Sequence, residues 1–540
     1  MTTFYIQQFG CRATQADGAA LERQLLDRGC IQAADPAGAT IVVLNTCTVT
    51  SSADAQARDA IRKIHAQNPA AHVIVTGCYA QRAPEELAAL PGVSWVVGNS
   101  HKPQIPNLIT QIAPVIPTRA VEEQPVIPSE ARNPLFPPVS LGAHFHSVGA
   151  GLAPPYAPQL VKVSHLGDFL HGANILTGDI FAHPEFLSAP IQGGESHHTR
   201  PILKIQDGCN NRCSFCVIPY VRGKSRSLPP DDVIREIQKL TAEFPSTPAN
   251  AKVAQPILAV SSSVAQPILA VHSPAREIVL SGINLGTYGR DLSPKVEFID
   301  LLRRILDETP IERLRISSIE PQDVTQDLID LFAATDRMAQ HFHMPLQSAS
   351  DRILAAMHRW YRSEHYARRV DLIHHSLPNA ALGADVIAGF PGETDSDHAA
   401  TLAFIERHPF TYLHVFSYSP RPGTKAAQSP NQVPAHIIKR RARELRALGE
   451  AKSAAFRQSQ QGRTLRVLTL HRDEYSDSSS REYTPALSSS YLRVQIPGIF
   501  PSSLWLDVVV KSEEGNYLVG EPAPTCSERS VNSVLSASSV

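Results

Sequence analysis

Three cysteines fall within eight residues in the run Cys209-Asn210-Asn211-Arg212-Cys213-Ser214-Phe215-Cys216. Thiolates at this spacing can wrap one face of a cubane iron–sulfur cluster, in which cysteine is the usual ligand of each iron. Three ligands leave the fourth iron open, by the same logic that keeps a catalytic zinc site one protein ligand short. An open iron can take a small chelating molecule. Zinc is the competing reading, but structural zinc usually has four ligands, commonly as two close pairs. The chain contains no second close pair of cysteines.

Three further cysteines are far apart in the chain yet share one kind of position. Cys11, Cys47 and Cys78 each follow directly on a short strand-like run, in Phe9-Gly10-Cys11, Asn45-Thr46-Cys47 and Thr76-Gly77-Cys78. Any one of them alone is the sort of small residue that fills a core. In a parallel sheet, however, the loops after successive strands converge at the carboxyl edge, where ligands bind. The trio therefore predicts a second three-thiolate cluster site. Cys30 follows a helix and Cys526 lies in a serine-rich tail, so neither belongs to a ligand set.

The elements that must position these residues alternate. Phe4–Gln8, Ile41–Leu44, His72–Thr76 and Ser94–Val97 read as buried parallel strands, with helical spacing over Ala16–Arg28 and Ala53–Ala66 between them. Residues 1–110 thus form a doubly wound α/β domain. Residues 111–199 are crowded with Pro, Gly, Ala and Ser and are expected to be a flexible insert or linker. Alternation resumes over 200–430, where strands Ile202–Gln206, Glu277–Gly282, Leu314–Ser318, Phe342–Leu346, Ala384–Ala388 and Leu413–Tyr418 predict a partial (β/α)6 barrel. The Cys209 motif sits just after the first of these, at the strand end where barrel enzymes keep their sites. Within this region, 245–275 is a loop insert carrying the octapeptide VAQPILAV twice, too few copies for a solenoid. Residues 431–459 form a basic helix containing Lys439-Arg440-Arg441-Ala442-Arg443. Strand-like runs over 460–522 predict a small all-β barrel, and 523–540 a disordered tail.

The bulk properties set bounds. Eight cysteines in 540 residues are too few for a disulfide scaffold. A formal net charge of −1 puts no global field on the molecule, so any polyanion site must be a local basic patch. No apolar run reaches the roughly 18 residues of a membrane span, and the first residues lack a signal-peptide pattern, so a cytoplasmic protein is expected.

Several strings together carry a resemblance. Asn45-Thr46-Cys47-Thr48-Val49-Thr50, Gly77-Cys78-Tyr79-Ala80-Gln81 and Asp207-Gly208-Cys209-Asn210-Asn211-Arg212-Cys213 resemble the radical S-adenosylmethionine methylthiotransferases. So do Val217-Ile218-Pro219-Tyr220-Val221-Arg222-Gly223, Ser317-Ser318-Ile319-Glu320-Pro321 and Pro345-Leu346-Gln347-Ser348. Gly389-Phe390-Pro391-Gly392-Glu393-Thr394 and the run from Tyr418 to Thr424 complete the set. The resemblance spans roughly residues 3–100, 200–245 and 276–520. Its Asn-Thr-Cys-Thr-Val-Thr string is similar to the branch acting on threonylcarbamoyl-adenosine in tRNA.

That resemblance implies two 4Fe-4S clusters and S-adenosylmethionine, whose amino and carboxylate groups suit an open iron. Cys209, Cys213 and Cys216 would hold the cluster that splits S-adenosylmethionine into a radical, and Cys11, Cys47 and Cys78 the one carrying the sulfur. The product would be a methylthio group at C2 of the modified adenosine beside the anticodon. It also implies a monomer whose partners are tRNA and an electron donor such as flavodoxin or ferredoxin, with the sulfur donor open. The C-terminal barrel would be a TRAM-like RNA-binding domain, with Arg463, Arg466 and Arg493 facing phosphates or simply forming a solvated charged face. Ser318, Glu320, Asp385, Gly389 and Gly392 lie at strand ends, where they either contact the cofactor or satisfy loop geometry. His343 and Gln347 lie at another strand end, where histidine is more often structural. Thr14 departs from the family, which commonly has Asn there; if that Asn orients the first cluster loop the site is looser here, though threonine can still hydrogen-bond locally. Competing substrates within the family are isopentenyl-adenosine tRNA and a ribosomal protein side chain. A non-catalytic RNA-binding protein with structural clusters is disfavoured, since structural clusters normally have four ligands.

Overall fold

A computed structural model describes residues 2–112, 173–182, 187, 199–242, 274–472 and 482–524. The run Ile41-Val42-Val43-Leu44 is buried throughout, as a central parallel strand requires. It belongs to a six-stranded parallel sheet in the order Ile31–Gln32, Thr3–Gln8, Ile41–Thr46, His72–Gly77, Val93–Gly98, Asn174–Leu176. Helix Arg12–Leu26 packs Leu21 and Leu25 on one face, against Ile41, Val43 and Ile74. Helix Ser51–Gln67 packs Ala57, Ile61 and Ile64 on the other, against Val42, Leu44 and Val75. The domain is therefore doubly wound.

Two boundaries differ from the sequence reading. The first helix starts at Arg12 rather than Ala16, because its first turn is polar and carries no apolar period. Asn174–Leu176, inside the stretch read as an insert, completes the edge of the N-terminal sheet beside Val93–Gly98. Three residues are too short to show alternation.

The central region holds six strands in chain order around an arc. Ile202–Lys204, Glu277–Ser281 and Arg313–Ile316 form one parallel sheet, and His341–His343, Ala381–Ala388 and Tyr412–Ser417 another. A parallel bridge from Leu314 to Met338 and the bond Ala339 N–H to Leu314 C=O (2.9 Å) join them. One large apolar core underlies the arc and its outer helices. The helix Ser363–Ser376 went unread although its buried Tyr366, Val370 and Ile373 keep helical spacing. Histidines and arginines crowd the intervening positions and mask that stripe.

Helix Ala435–Gln458 leads into a closed barrel ordered Thr464–Thr469, Tyr483–Ser488, Arg493–Pro497, Tyr517–Pro522, Trp505–Glu514. Tyr483–Ser488 was not anticipated because Pro485 argues against a paired strand. Both VAQPILAV copies, almost all of the 245–275 insert, nearly all of the 523–540 tail and Cys526 lie outside the described residues. No described helix is long and apolar enough to cross a membrane.

Candidate active site

The N-terminal sheet brings Cys11, Cys47 and Cys78 to one edge. Thr3–Gln8 and Ile41–Thr46 are neighbours whose helices leave toward opposite faces, the switch point at which such sheets bind ligands. Gly10 has φ +101°, and a Cβ there would lie 2.3 Å from Cys47 Cβ and 2.9 Å from its Sγ. Only glycine permits so close an approach of the first loop to the second. Burial first, then the neighbouring Cys78 and Cys11, push the Cys47 thiol up to about 12. A thiol so placed resists ionising unless a cation neutralises it, which is what a metal cluster does. The donor set therefore fits an iron–sulfur group. Gly10→Ala is expected to empty this site alone, lowering reconstituted iron from about eight to about four per chain. Iron analysis checks it; full iron retention would contradict the close approach.

In the barrel, the loop after Gln206–Asp207 carries Cys209, Cys213 and Cys216, all free thiols. Cys209 Sγ accepts from the Asn211 N–H at 3.4 Å and Cys213 Sγ from the Arg359 guanidinium at 3.4 Å. Burial, with the Cys213 neighbour, pushes the Cys216 thiol up to about 12. Arg359 is itself ion-paired to Glu320, and burial pushes the Glu320 carboxyl up despite that partner. Beside Cys209, toward which the Asn284 amide group is turned, the buried Asn284 carbonyl oxygen and the buried Ser317 hydroxyl have no partner among the described residues. Polar atoms orphaned at a barrel's strand ends suit a polar cosubstrate. Phe215 packs edge-on against Phe390, and Phe390 against Tyr418, so an apolar wall backs the cysteine loop.

A buried ionic seam joins the two cysteine sets. Arg222, at the end of the helix Ile218–Arg222, donates to Asp207 (3.0 Å), Asp17 (3.1 Å) and Thr14 Oγ1 (3.2 Å). Lys102 donates to Asp17 (2.9 Å) and to Asn45 (3.2 Å), and Lys204 bridges Asp17 and Asp207. Burial opposes ionising Asp17, but Lys102, Lys204 and Arg222 hold its carboxyl well below the usual range. Thr14 Oγ1 also lies 3.6 Å from Cys11 Sγ, and the Thr14 C=O accepts from Asn45 (2.7 Å). Of the two readings of Thr14, local hydrogen bonding is the one seen: the residue is fully buried and bonded on both sides. A second anchor fixes the Cys47 loop. Thr48 donates to Asp54 (2.7 Å), and Arg82 and Arg421 both reach Asp54, the latter at 2.7 Å from the motif after Tyr418.

The remaining predicted residues divide. Glu320 reaches the cysteine site through Arg359, and Ser318 adjoins Ser317 just past Arg313–Ile316. Asp385 lies within its strand rather than at the end, bonded to His343 Nε2 (2.9 Å) and 3.4 Å from His414 Nδ1. Those three side chains bring ligand-type atoms within 4.8 Å of one another, and the His343 ring is held between Asp385 and the Tyr412 hydroxyl. Gly389 and Gly392 occupy turn and packing positions, the loop-geometry alternative. The Gly389 N–H donates to Glu393, and a Cβ on it would strike Ile438 at 2.4 Å. The Gly392 N–H donates to Asn431 and its carbonyl accepts from Arg352. Arg463 bonds Asn379 (2.6 Å) and Arg466 pairs with Asp336 (3.4 Å), so both tie the C-terminal barrel to the central one rather than standing free. Arg493 opens the strand Arg493–Pro497 and is exposed. In the basic helix, Arg441 is buried against Glu393 and Asp395, whereas Lys439 and Arg443 are exposed. Asp17, Lys102, Lys204, Arg222, Arg359 and Asn284 were missed. Arg222 alone carried a signal, by lying within a quoted motif.

An incomplete parallel barrel with a three-cysteine loop after its first strand is the architecture of radical S-adenosylmethionine enzymes. Residues 203–247 and 269–405 match the Radical SAM superfamily, and residues 3–98 match the uncharacterized protein family UPF0004. Threonylcarbamoyladenosine tRNA methylthiotransferase MtaB of Aquifex aeolicus is 30% identical over 86% of this chain and 92% of its own length. MtaB of Bacillus subtilis is 30% identical over 92% and 91%. A tRNA-2-methylthio-N(6)-dimethylallyladenosine synthase of Syntrophobacter fumaroxidans is 30% identical over 82% and 79%. The chain belongs to the radical S-adenosylmethionine methylthiotransferase family, and is a transferase that uses a 4Fe-4S cluster and S-adenosylmethionine.

Proposed function

We propose that the enzyme adds a methylthio group at C2 of N6-threonylcarbamoyladenosine beside the anticodon of tRNA. The observation that carries this is the meeting of two three-cysteine sets across one side chain. Arg222 closes the helix that follows Cys216 and donates to Thr14, which lies against Cys11. Cys209, Cys213 and Cys216 would hold one 4Fe-4S cluster with S-adenosylmethionine at its open iron, and Cys11, Cys47 and Cys78 a second. When bound, these groups supply the electron that splits S-adenosylmethionine, the radical that removes the C2 hydrogen, and the sulfur that is inserted and methylated.

The chain's own residues bind, orient and shield. Arg359, held by Glu320, donates to Cys213 and offsets the charge of that thiolate. Asn284, Ser317, Ser318, Glu320 and Asp385 are assigned to the cosubstrate's polar groups. The Phe215–Phe390–Tyr418 wall excludes water from the cysteine loop, as a reactive radical requires. The C-terminal barrel, with Arg493 and the exposed Lys439 and Arg443, is assigned to the RNA backbone. The target base must leave its stack to reach the site. A flavodoxin or ferredoxin is assigned as electron donor.

The two MtaB relatives carry this substrate in their names, and the Syntrophobacter relative favours dimethylallyl-adenosine as a second reading. Anaerobically reconstituted enzyme, S-adenosylmethionine and a reductant, given tRNA bearing either nucleoside, separates them by nucleoside mass analysis. Methylthiolation of the threonylcarbamoyl nucleoside is expected. Conversion of the dimethylallyl nucleoside alone would overturn the proposal.

A further inference from the structure

The residue directly after Cys11 is Arg12, the first residue of the helix Arg12–Leu26. Its guanidinium reaches across to the C-terminal barrel and donates to the Tyr491 hydroxyl at 3.3 Å. That is a neutral partner, and among the described residues Arg12 has no ion pair. Tyr491 is a focus of positive charge. Arg315 lies 5.2 Å from its ring centre and Arg200 6.0 Å. The acids at hand are engaged elsewhere: Glu277 is fully buried between Arg200, Arg313 and Arg315, and Asp385 is held by His343 and His414. His341 stands 4.8 Å from the Tyr491 ring centre. Its Nε2 is bonded to Tyr412, while its buried Nδ1 has no partner among the described residues.

Guanidinium, phenol and imidazole thus line one place, next to the N-terminal cysteine set, with more donors and more positive charge than the described side chains use. A negatively charged planar group is the complement of such a lining. Of the two nucleosides considered above, only one brings an anion to the reacting base. The threonylcarbamoyl group ends in a carboxylate, and the dimethylallyl group is a neutral hydrocarbon.

We propose that Arg12, supported by Tyr491 and His341, receives the carboxylate of the substrate's N6-threonylcarbamoyl group and so selects that nucleoside. This rests on the tRNA substrate reading above and names the residue that would enforce it. The carboxylate forms charge-assisted hydrogen bonds to Arg12, and no bond is made or broken there. Tyr491 comes from the RNA-binding barrel, so the selection point is assembled from all three parts of the chain.

The test uses anticodon stem-loop RNAs carrying either N6-threonylcarbamoyladenosine or its neutral carboxamide, with reconstituted full-length enzyme. Wild type is expected to favour the acid over the amide in kcat/KM by about 10- to 100-fold, the scale of a hydrogen bond to a charged group. In Arg12→Gln that ratio falls to about one, and in Arg12→Lys it recovers in part. Iron content and RNA-free S-adenosylmethionine cleavage, measured on the same samples, report whether the adjacent cysteine site is intact. Equal wild-type rates on acid and amide would overturn the proposal while leaving the substrate standing. So would an Arg12→Gln enzyme whose acid-to-amide ratio is unchanged, which would assign Arg12 to the RNA backbone or to the fold. A wild type that converts dimethylallyl-adenosine RNA and neither of these would overturn the substrate reading itself.

Discussion

Cys213→Ala is expected to lower 5′-deoxyadenosine formation from S-adenosylmethionine by on the order of 10³ or more, the scale seen when a group the chemistry cannot do without is removed. Cys213 is the middle thiol of the barrel loop and the one that Arg359 contacts, so its loss removes a ligand and leaves the Arg359–Glu320 pair without its sulfur partner. Among the described residues no other thiol lies in the barrel: Cys30 and the N-terminal trio belong to the other domain. Cys30→Ala is the matched control. Cys30 is buried among Phe4, Leu21, Leu25 and Ile41, and its loss should cost about 1 kcal/mol of stability and no cleavage activity. Chromatographic measurement of 5′-deoxyadenosine under strong reductant checks both. Cleavage retained by Cys213→Ala would remove the barrel loop from the chemistry.

The second large effect is structural. Asp17→Ala should destabilise the protein by about 3–5 kcal/mol, the cost of removing one partner from a buried ion pair. Asp17 is buried and contacted by Lys102, Lys204 and Arg222, which come from the N-terminal domain and the barrel. Without its carboxylate, Lys204 and Arg222 each lose one of the two carboxylates that bracket them, and Lys102 keeps no carboxylate among the described residues. Arg222 also holds Thr14 against Cys11, so the same change should loosen the N-terminal cysteine site. Urea unfolding, with iron content read alongside, measures both consequences. A loss under about 1 kcal/mol would mean that the seam is solvated and does not couple the domains.

The cysteines were legible in sequence for different reasons. Cys209, Cys213 and Cys216 announce themselves by local spacing. Cys11, Cys47 and Cys78 become a set only once each is seen to end a parallel strand, an inference that needed the topology but no coordinates. The doubly wound domain and the six-strand arc were readable because buried parallel strands are apolar throughout. What escaped was long-range charge pairing. Asp17 of the first helix, Lys102 and Lys204 give no pattern along the chain, since their partners are as far as 205 residues away. For Arg463 and Arg466 the alternation along a strand is legible, but their contacts to Asn379 and Asp336 of the central domain are not. Gly389 and Gly392 stayed open between cofactor contact and loop geometry because a glycine signals close contact without naming what is close. At Gly389 the close neighbour is Ile438 of the basic helix.

Iron and acid-labile sulfide content after anaerobic reconstitution tests the central claim most directly. It should be measured on the wild type, on a Cys209/Cys213/Cys216→Ala variant and on a Cys11/Cys47/Cys78→Ala variant. Two independent clusters predict about eight irons in the wild type and about four in each variant, with 5′-deoxyadenosine formed only where the barrel cysteines remain. Zinc in place of iron, or about four irons in the wild type that only one triple variant removes, would contradict the two-cluster account.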